Sequence, residues 1–136
     1  MVSFNRFEDI EALPKSRQFA KAINQATKNT GYARDYGLSD QIRRASVSVM
    51  SNIAEGFERE GNAEFRQTLY ISKGSLGEVR SQLYVAFDND YLSEIEFASL
   101  MALATEIARM LHGLIRYLNS SPDRGKKYRK PDNSCQ

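Results

Sequence analysis

Phe65, Leu69, Ser72, Leu76, Val79, Leu83 and Ala86 recur at alternating spacings of four and three residues. Side chains at that spacing fall on one side of an α-helix, whereas a strand would scatter them over both faces. A stretch of about six turns with one apolar stripe has to bury that stripe against another element. Similar stripes run through Ile42, Ala45, Val49, Ile53 and Phe57, and through Leu100, Leu103, Ile107, Met110 or Leu111, Leu114 and Leu118; a weaker one uses Phe19, Ile23 and Ala26. The punctuation agrees with helices. Pro14 suits a first turn, Gly31 a helix end, Ser39 an N-cap, Gly61-Asn62 a boundary, and Ser93 with Glu96 a capping box.

The pattern predicts helices over 13–30, 39–60, 63–88 and 94–119. Their similar lengths and the short connections after the second and third make neighbours fold back on each other, while the connection from Gly31 to Leu38 leaves more freedom. The expected fold is therefore all-α, an antiparallel up-down-up-down four-helix bundle over residues 1–119. Residues 120–136 contain Pro122, Gly125 and Pro131, no apolar periodicity, and five Lys/Arg against two Asp/Glu. A segment of that composition buries too little to offset its ordering entropy, so a disordered basic tail is expected.

Composition narrows the class. With 41% hydrophobic and 26% charged residues the chain resembles an ordinary water-soluble domain, and its longest apolar run, Phe97 to Ala104, is far short of the roughly 20 residues of a membrane helix. No membrane partner is expected. The first residues lack a basic region followed by an apolar run, so no secretory signal is expected and a cytoplasmic location is. Cys135 has no second cysteine to pair with, which excludes an internal disulfide.

A second face runs beside the core stripes. At about 100° per residue, Ser48, Asn52 and Glu55 share a wedge on the second helix, with Gln41 and Arg59 close by, and Ser75, Glu78 and Gln82 share one on the third, with Gly74 and Gly77 near it. Each glycine costs about 1 kcal/mol relative to alanine in a helix interior, so a merely solvated face is a poor reason for them. Hydrogen-bonded contact with another helix or another subunit is one reading; half-exposed side chains are the other. As catalysts Glu55 and Glu78 have no nucleophile or histidine beside them. Di-iron bundles use paired Glu-x-x-His elements, which are missing here, and His112 has no ligand-type residue three or four positions on. Gly74-Ser75-Leu76-Gly77 lacks the Lys-Ser/Thr of a phosphate loop. No cofactor, no metal and no enzymatic activity are expected.

Basic residues form their own rows. Arg66, Lys73 and Arg80 recur every seven residues, as do Arg109 and Arg116, and Arg43-Arg44 open the second helix. They either pair with carboxylates on adjacent helices, at about 0 to 1 kcal/mol each, or hold phosphates. Arg124, Lys126, Lys127, Arg129 and Lys130, with Tyr128 among them, suit contact with a nucleic-acid backbone and stacking on a base.

The segment Tyr36 to Arg59, with Ser51-Asn52-Ile53-Ala54-Glu55-Gly56 at its centre, resembles the signature of the 23S ribosomal RNA intervening-sequence protein family, also called four helix bundle proteins. The likeness extends to Phe7-Glu8-Asp9-Ile10, Glu64-Phe65 and Ile71 to Glu78, and so covers about residues 4–118. It implies an antiparallel four-helix bundle, a homopentameric ring, a bacterial origin and no enzymatic activity. It also implies a structural or intersubunit role for Asn52, Glu55, Gly56, Ser75 and Glu78, a group that Ser48 joins by its place in the same wedge. The accessory variability proteins of diversity-generating retroelements are similar and bind a reverse transcriptase together with nucleic acid. The expected function is thus an oligomeric, non-enzymatic binder of RNA or DNA through Arg43, Arg44, Arg66, Lys73, Arg80 and the tail cations. A protein-interaction adaptor, such as a reverse-transcriptase accessory protein, is the alternative.

Overall fold

The computed structural model describes residues 10–59 and 61–120. They form five helices, α1 (Ala12–Ala26), α2 (Thr30–Arg34), α3 (Tyr36–Glu58), α4 (Asn62–Asp88) and α5 (Glu94–Ser120), with no strand among the described residues. The four long helices close a square: α3 packs on α4, α4 on α5, α5 on α1 and α1 on α3. The apolar stripes meet at its centre, where Phe19, Ile23, Ile42, Val49, Ile53, Phe65, Leu69, Val79, Leu83, Ile107 and Leu111 are all fully buried. Each such Leu, Ile or Phe contributes about 1.5–3 kcal/mol.

Two boundaries differ from the sequence-based expectation. The helix expected over 13–30 ends at Ala26, and Gly31 lies inside the five-residue α2 instead of closing α1. The next helix starts at Tyr36, three residues ahead of Ser39, because Asp35 caps it: its Oδ1 accepts the Leu38 N–H at 3.2 Å. Ser39 is buried inside α3 and donates its hydroxyl back to the Tyr36 carbonyl at 3.3 Å. Between α3 and α4 the chain turns at Gly61 with φ 90°, a conformation that favours glycine.

The α1–α3 connection is locked onto the α4–α5 turn. Tyr32 is fully buried and stacks on Tyr91 with centroids 5.3 Å apart. The Tyr91 hydroxyl donates to Asp35 Oδ2 at 3.0 Å, and the Asn29 amide donates to the Tyr91 carbonyl at 3.1 Å and to Glu96 Oε2 at 3.2 Å. Gly31 fits here because a Cβ would press on the Tyr91 ring at 3.1 Å. Ser93 and Glu96 form the expected capping box: the Ser93 N–H donates to Glu96 Oε1 at 2.8 Å, and the Glu96 N–H donates to Ser93 Oγ at 3.1 Å.

Taken whole, the 27-residue α5 is by length and composition alone apolar enough to cross a membrane, although its longest uninterrupted apolar run is short. A core helix passes the same test. Leu100, Ala104, Ile107, Leu111, Ile115 and Leu118 of α5 are buried inside the fold.

The lock makes stability respond to pH at both ends of the scale. The Ser93 N–H holds the Glu96 carboxyl below the usual glutamate range against the opposing effect of burial, with a smaller contribution from the Asn29 amide. The hydrogen bond to Asp35, then burial, raises the Tyr91 phenol. The folded chain thus binds fewer protons than the unfolded chain at Glu96, and this contribution is present above about pH 4.3 and lost as pH falls through the folded value. The Tyr91 contribution is present below about pH 10 and lost as pH rises through the folded value. Denaturation profiles of Glu96→Gln and Tyr91→Phe are expected to flatten on the acid and alkaline limbs respectively; unchanged limbs would contradict these assignments.

Candidate nucleic-acid interface

The polar wedge of α3 meets that of α4. The hydroxyls of Ser48 and Ser75 share a hydrogen bond at 2.8 Å, the Asn52 amide donates to the Ser48 carbonyl at 2.8 Å and to its hydroxyl at 3.1 Å, and the buried Ser72 hydroxyl donates to the Val49 carbonyl at 2.7 Å. Farther along, the Gln82 amide donates to Glu78 Oε2 at 3.0 Å and Gln41 Oε1 at 3.3 Å. Residue numbers fall along α4 as they rise along α3. Gly56 marks the tightest approach: a Cβ there would overlap the Thr68 hydroxyl and meet the Phe65 ring at 2.9 Å. Of the two readings of the wedge, contact with another helix therefore accounts for Ser48, Gly56, Ser75 and Gln82, while Asn52 holds Ser48 from its own helix.

Glu55 and Glu78 do not meet. Glu55 is held by Arg59 at 2.7 Å on its own helix, toward the Gly56–Thr68 end, while Glu78 sits with Gln82 and Gln41 beyond the Ser48–Ser75 pair. His112 is exposed on α5, and among the described residues no group of three or more His, Cys, Asp or Glu is placed to hold a metal ion.

The basic residues divide into two groups. Arg43 and Arg44 are exposed on α3, and Arg44 is bound to Asp40 at 2.9 Å. Because α3 packs on the Ser75–Gln82 flank of α4, opposite the flank that carries Arg66, Lys73 and Arg80, and lies diagonally across the square from α5, these two arginines are not brought together with the rest. Arg66 instead reaches α5, donating from Nη1 to the Leu118 carbonyl at 3.4 Å, where a cation also offsets the negative end of the helix dipole. Seven-residue spacing keeps Lys73 and Arg80 on that same α5-facing flank, opposite the flank on which Ser75 and Gln82 meet α3. On α5, Glu106 and Glu96 turn toward α1, pairing with Lys15 at 3.4 Å and with Asn29. At about 100° per residue Arg109, His112 and Arg116 fall on the outward half nearer α4. Among the described residues Arg66, Lys73, Arg80, Arg109 and Arg116 form no ion pair with a carboxylate; the pairs are Lys15–Glu106, Arg44–Asp40 and Arg59–Glu55. Arg124, Lys126, Lys127, Arg129 and Lys130 lie outside the described residues, following the end of α5 where Arg66 binds.

Two residues that the sequence reading did not assign to this surface stand among its cations. Tyr70 and Tyr84 on α4 are each 54% exposed, and the Tyr84 ring is set edgewise against Phe97 with centroids 5.1 Å apart. The signal that finds them is the core stripe shifted by one residue: Arg66, Tyr70, Lys73, Gly77, Arg80 and Tyr84 repeat its spacing of four and three.

Comparison with known proteins gives two findings. Residues 8–113 match the family model described as 23S rRNA-intervening sequence protein. A crystal structure of a protein with unknown function from the S23 ribosomal protein family of Bacteroides thetaiotaomicron is similar in fold, with a TM-score of 0.72 at 24% identity over 77% of this chain and 95% of that one. No curated protein matches.

The glycines of the two faces are expected to respond oppositely to alanine. Gly56→Ala lowers stability by about 1–3 kcal/mol through overpacking against Thr68, and Thr68→Ala in the same chain restores part of it. Gly74→Ala, whose Cβ meets nothing within 4 Å, raises helix stability by up to about 1 kcal/mol. Chemical denaturation of the three variants measures both signs.

Proposed function

We propose that this chain, which belongs to the 23S rRNA-intervening sequence protein family, is a non-enzymatic nucleic-acid-binding protein of the cytoplasm. Its four long helices form an antiparallel up-down-up-down bundle that works as an oligomer. The observation that carries the reading is the row of cations on the α4–α5 face, five residues without a carboxylate partner among the described residues. A cation already paired gives up an interaction to bind phosphate. Lys73, Arg80, Arg109 and Arg116 give up no ion pair and gain the full effect of counterion release from nucleic acid, whereas Arg66 also holds the Leu118 carbonyl.

Assembly supports this reading energetically. A single face with five cations binds weakly, and several copies in one ring multiply its effect. The homopentamer implied by the resemblance is the assembly we adopt. Ile71 and Val85, exposed on α4 beside the unfilled Gly74, supply apolar surface for a subunit contact.

Tyr36 and Ile95 favour a second reading. They are 79% and 83% exposed, and as the first residue of α3 and the second of α5 they lie at the end of the molecule opposite Ser120, the last residue of α5. A protein-interaction adaptor, with a reverse transcriptase as partner, would use such an end.

Light scattering and titration of labelled RNA and DNA test the proposal on one sample. An oligomer is expected, with affinity falling steeply between about 50 and 200 mM salt. Lys73→Ala, Arg80→Ala and Arg109→Ala are each expected to weaken binding to all sequences and to reduce the log–log salt slope by about 1. Arg43→Ala is expected to leave the slope unchanged. Binding indifferent to salt would overturn the electrostatic reading, and a monomer would overturn the assembly.

A further inference from the structure

The outer stripe of α4 carries more than charge. Arg66, Tyr70, Lys73, Gly77, Arg80 and Tyr84 alternate cation, ring, cation, gap, cation, ring along one line, each residue one position beyond a member of the core stripe. The core stripe is packed inside, so its register fixes the direction of the outer one. No carboxylate interrupts the line. Gly77 adds no side chain in the middle of it, and a Cβ there would meet nothing within 4 Å. Tyr70 and Tyr84 stand fourteen residues apart, about 21 Å along the helix, with Lys73 and Arg80 between them.

Duplexes present phosphates on the outside and keep base faces stacked within, so exposed tyrosines gain nothing from them. A single strand offers both its backbone and its base faces. We propose that this stripe is a track for single-stranded nucleic acid, with phosphates on Lys73 and Arg80 and bases stacked on Tyr70 and Tyr84. This rests on the nucleic-acid reading above and names its substrate class. The Phe97 contact holds the Tyr84 ring in one orientation while leaving half of its surface open, so little side-chain freedom is lost when a base stacks on it. Stacking is tolerant of sequence because every base has a π-face, so the track selects strandedness and not sequence.

The test uses the full chain and fluorescence anisotropy with a labelled 20-nucleotide oligothymidine, an oligouridine of the same length, and a mixed-sequence duplex. The single strands are expected to bind at least about tenfold more tightly than the duplex. Tyr70→Ala and Tyr84→Ala are expected to weaken single-strand binding about five- to 150-fold each and leave duplex binding unchanged. Tyr70→Phe and Tyr84→Phe are expected to retain binding, since the ring persists and the Phe97 contact with it. Lys73→Ala is expected to weaken both substrates. Tyrosine variants that leave single-strand affinity unchanged, while Lys73→Ala weakens both, would overturn the track and spare the nucleic-acid reading. No binding of any oligonucleotide at low salt would overturn both. A changed solution mass for Tyr70→Ala, which loses no described ring contact, would assign the stripe to a subunit interface and overturn the track.

Discussion

The close approach of α3 and α4 sets the geometry on which the remainder depends. Gly56 lets the Thr68 side chain lie against the α3 backbone, Ser72 ties its hydroxyl to the Val49 carbonyl, and Ser48 and Ser75 meet between them. Each contact uses a small residue, and each would be lost by a slip of one residue along either helix. Such contacts fix rotation as well as translation. A hydrophobic stripe alone tolerates some turning about the helix axis, because Leu, Ile and Phe repack at modest cost; a serine hydroxyl bound to a carbonyl across the seam does not.

Once α4 is held in that rotation, three of its faces have assigned neighbours. The Ser75–Gln82 flank belongs to α3, the Phe65–Ala86 stripe to the core, and the Arg66–Arg80 flank to the edge shared with α5. On α5, Glu106 turns to Lys15 of α1 and Glu96 to Asn29 beyond its end, leaving Arg109 and Arg116 on the outward half. Glu106 and Glu96 thereby lie on the α1 side, and Arg109 and Arg116 on the α4 side, with Glu94 at the start of α5 and Asp88 at the end of α4 bounding the basic row. A chain with a formal net charge of only +2 acquires a locally basic face in this way, without a basic composition.

Much of the helical organisation is legible in spacing alone, since four stripes at intervals of three and four leave no strand reading. The capping box of Ser93 and Glu96 is legible for the same reason: both partners are three residues apart. The α2 turn and its lock are not. Asn29 and Asp35 each bind Tyr91 across about 60 positions of sequence, and nothing local marks Asp35 over Ser39 as the cap. The polar wedge announces that something packs there, but whether the partner is a helix or a subunit becomes clear only when α3 and α4 are placed side by side. Grouping Arg43 and Arg44 with Arg66, Lys73 and Arg80 has the same weakness, because composition counts charges without saying which side of the square they occupy. The tyrosines among the cations were readable in principle from the one-residue shift of the core stripe. An exposed Tyr in a list looks like any other until the core register is known.

Hydrogen–deuterium exchange with and without a single-stranded oligonucleotide tests the central claim, that nucleic acid lies along the α4–α5 face. The account predicts slowed exchange over residues 66–84 and 105–119, with the α3 segment around Arg43 and Arg44 unaffected. Protection centred on α3, or on the end that carries Tyr36 and Ile95, would contradict it.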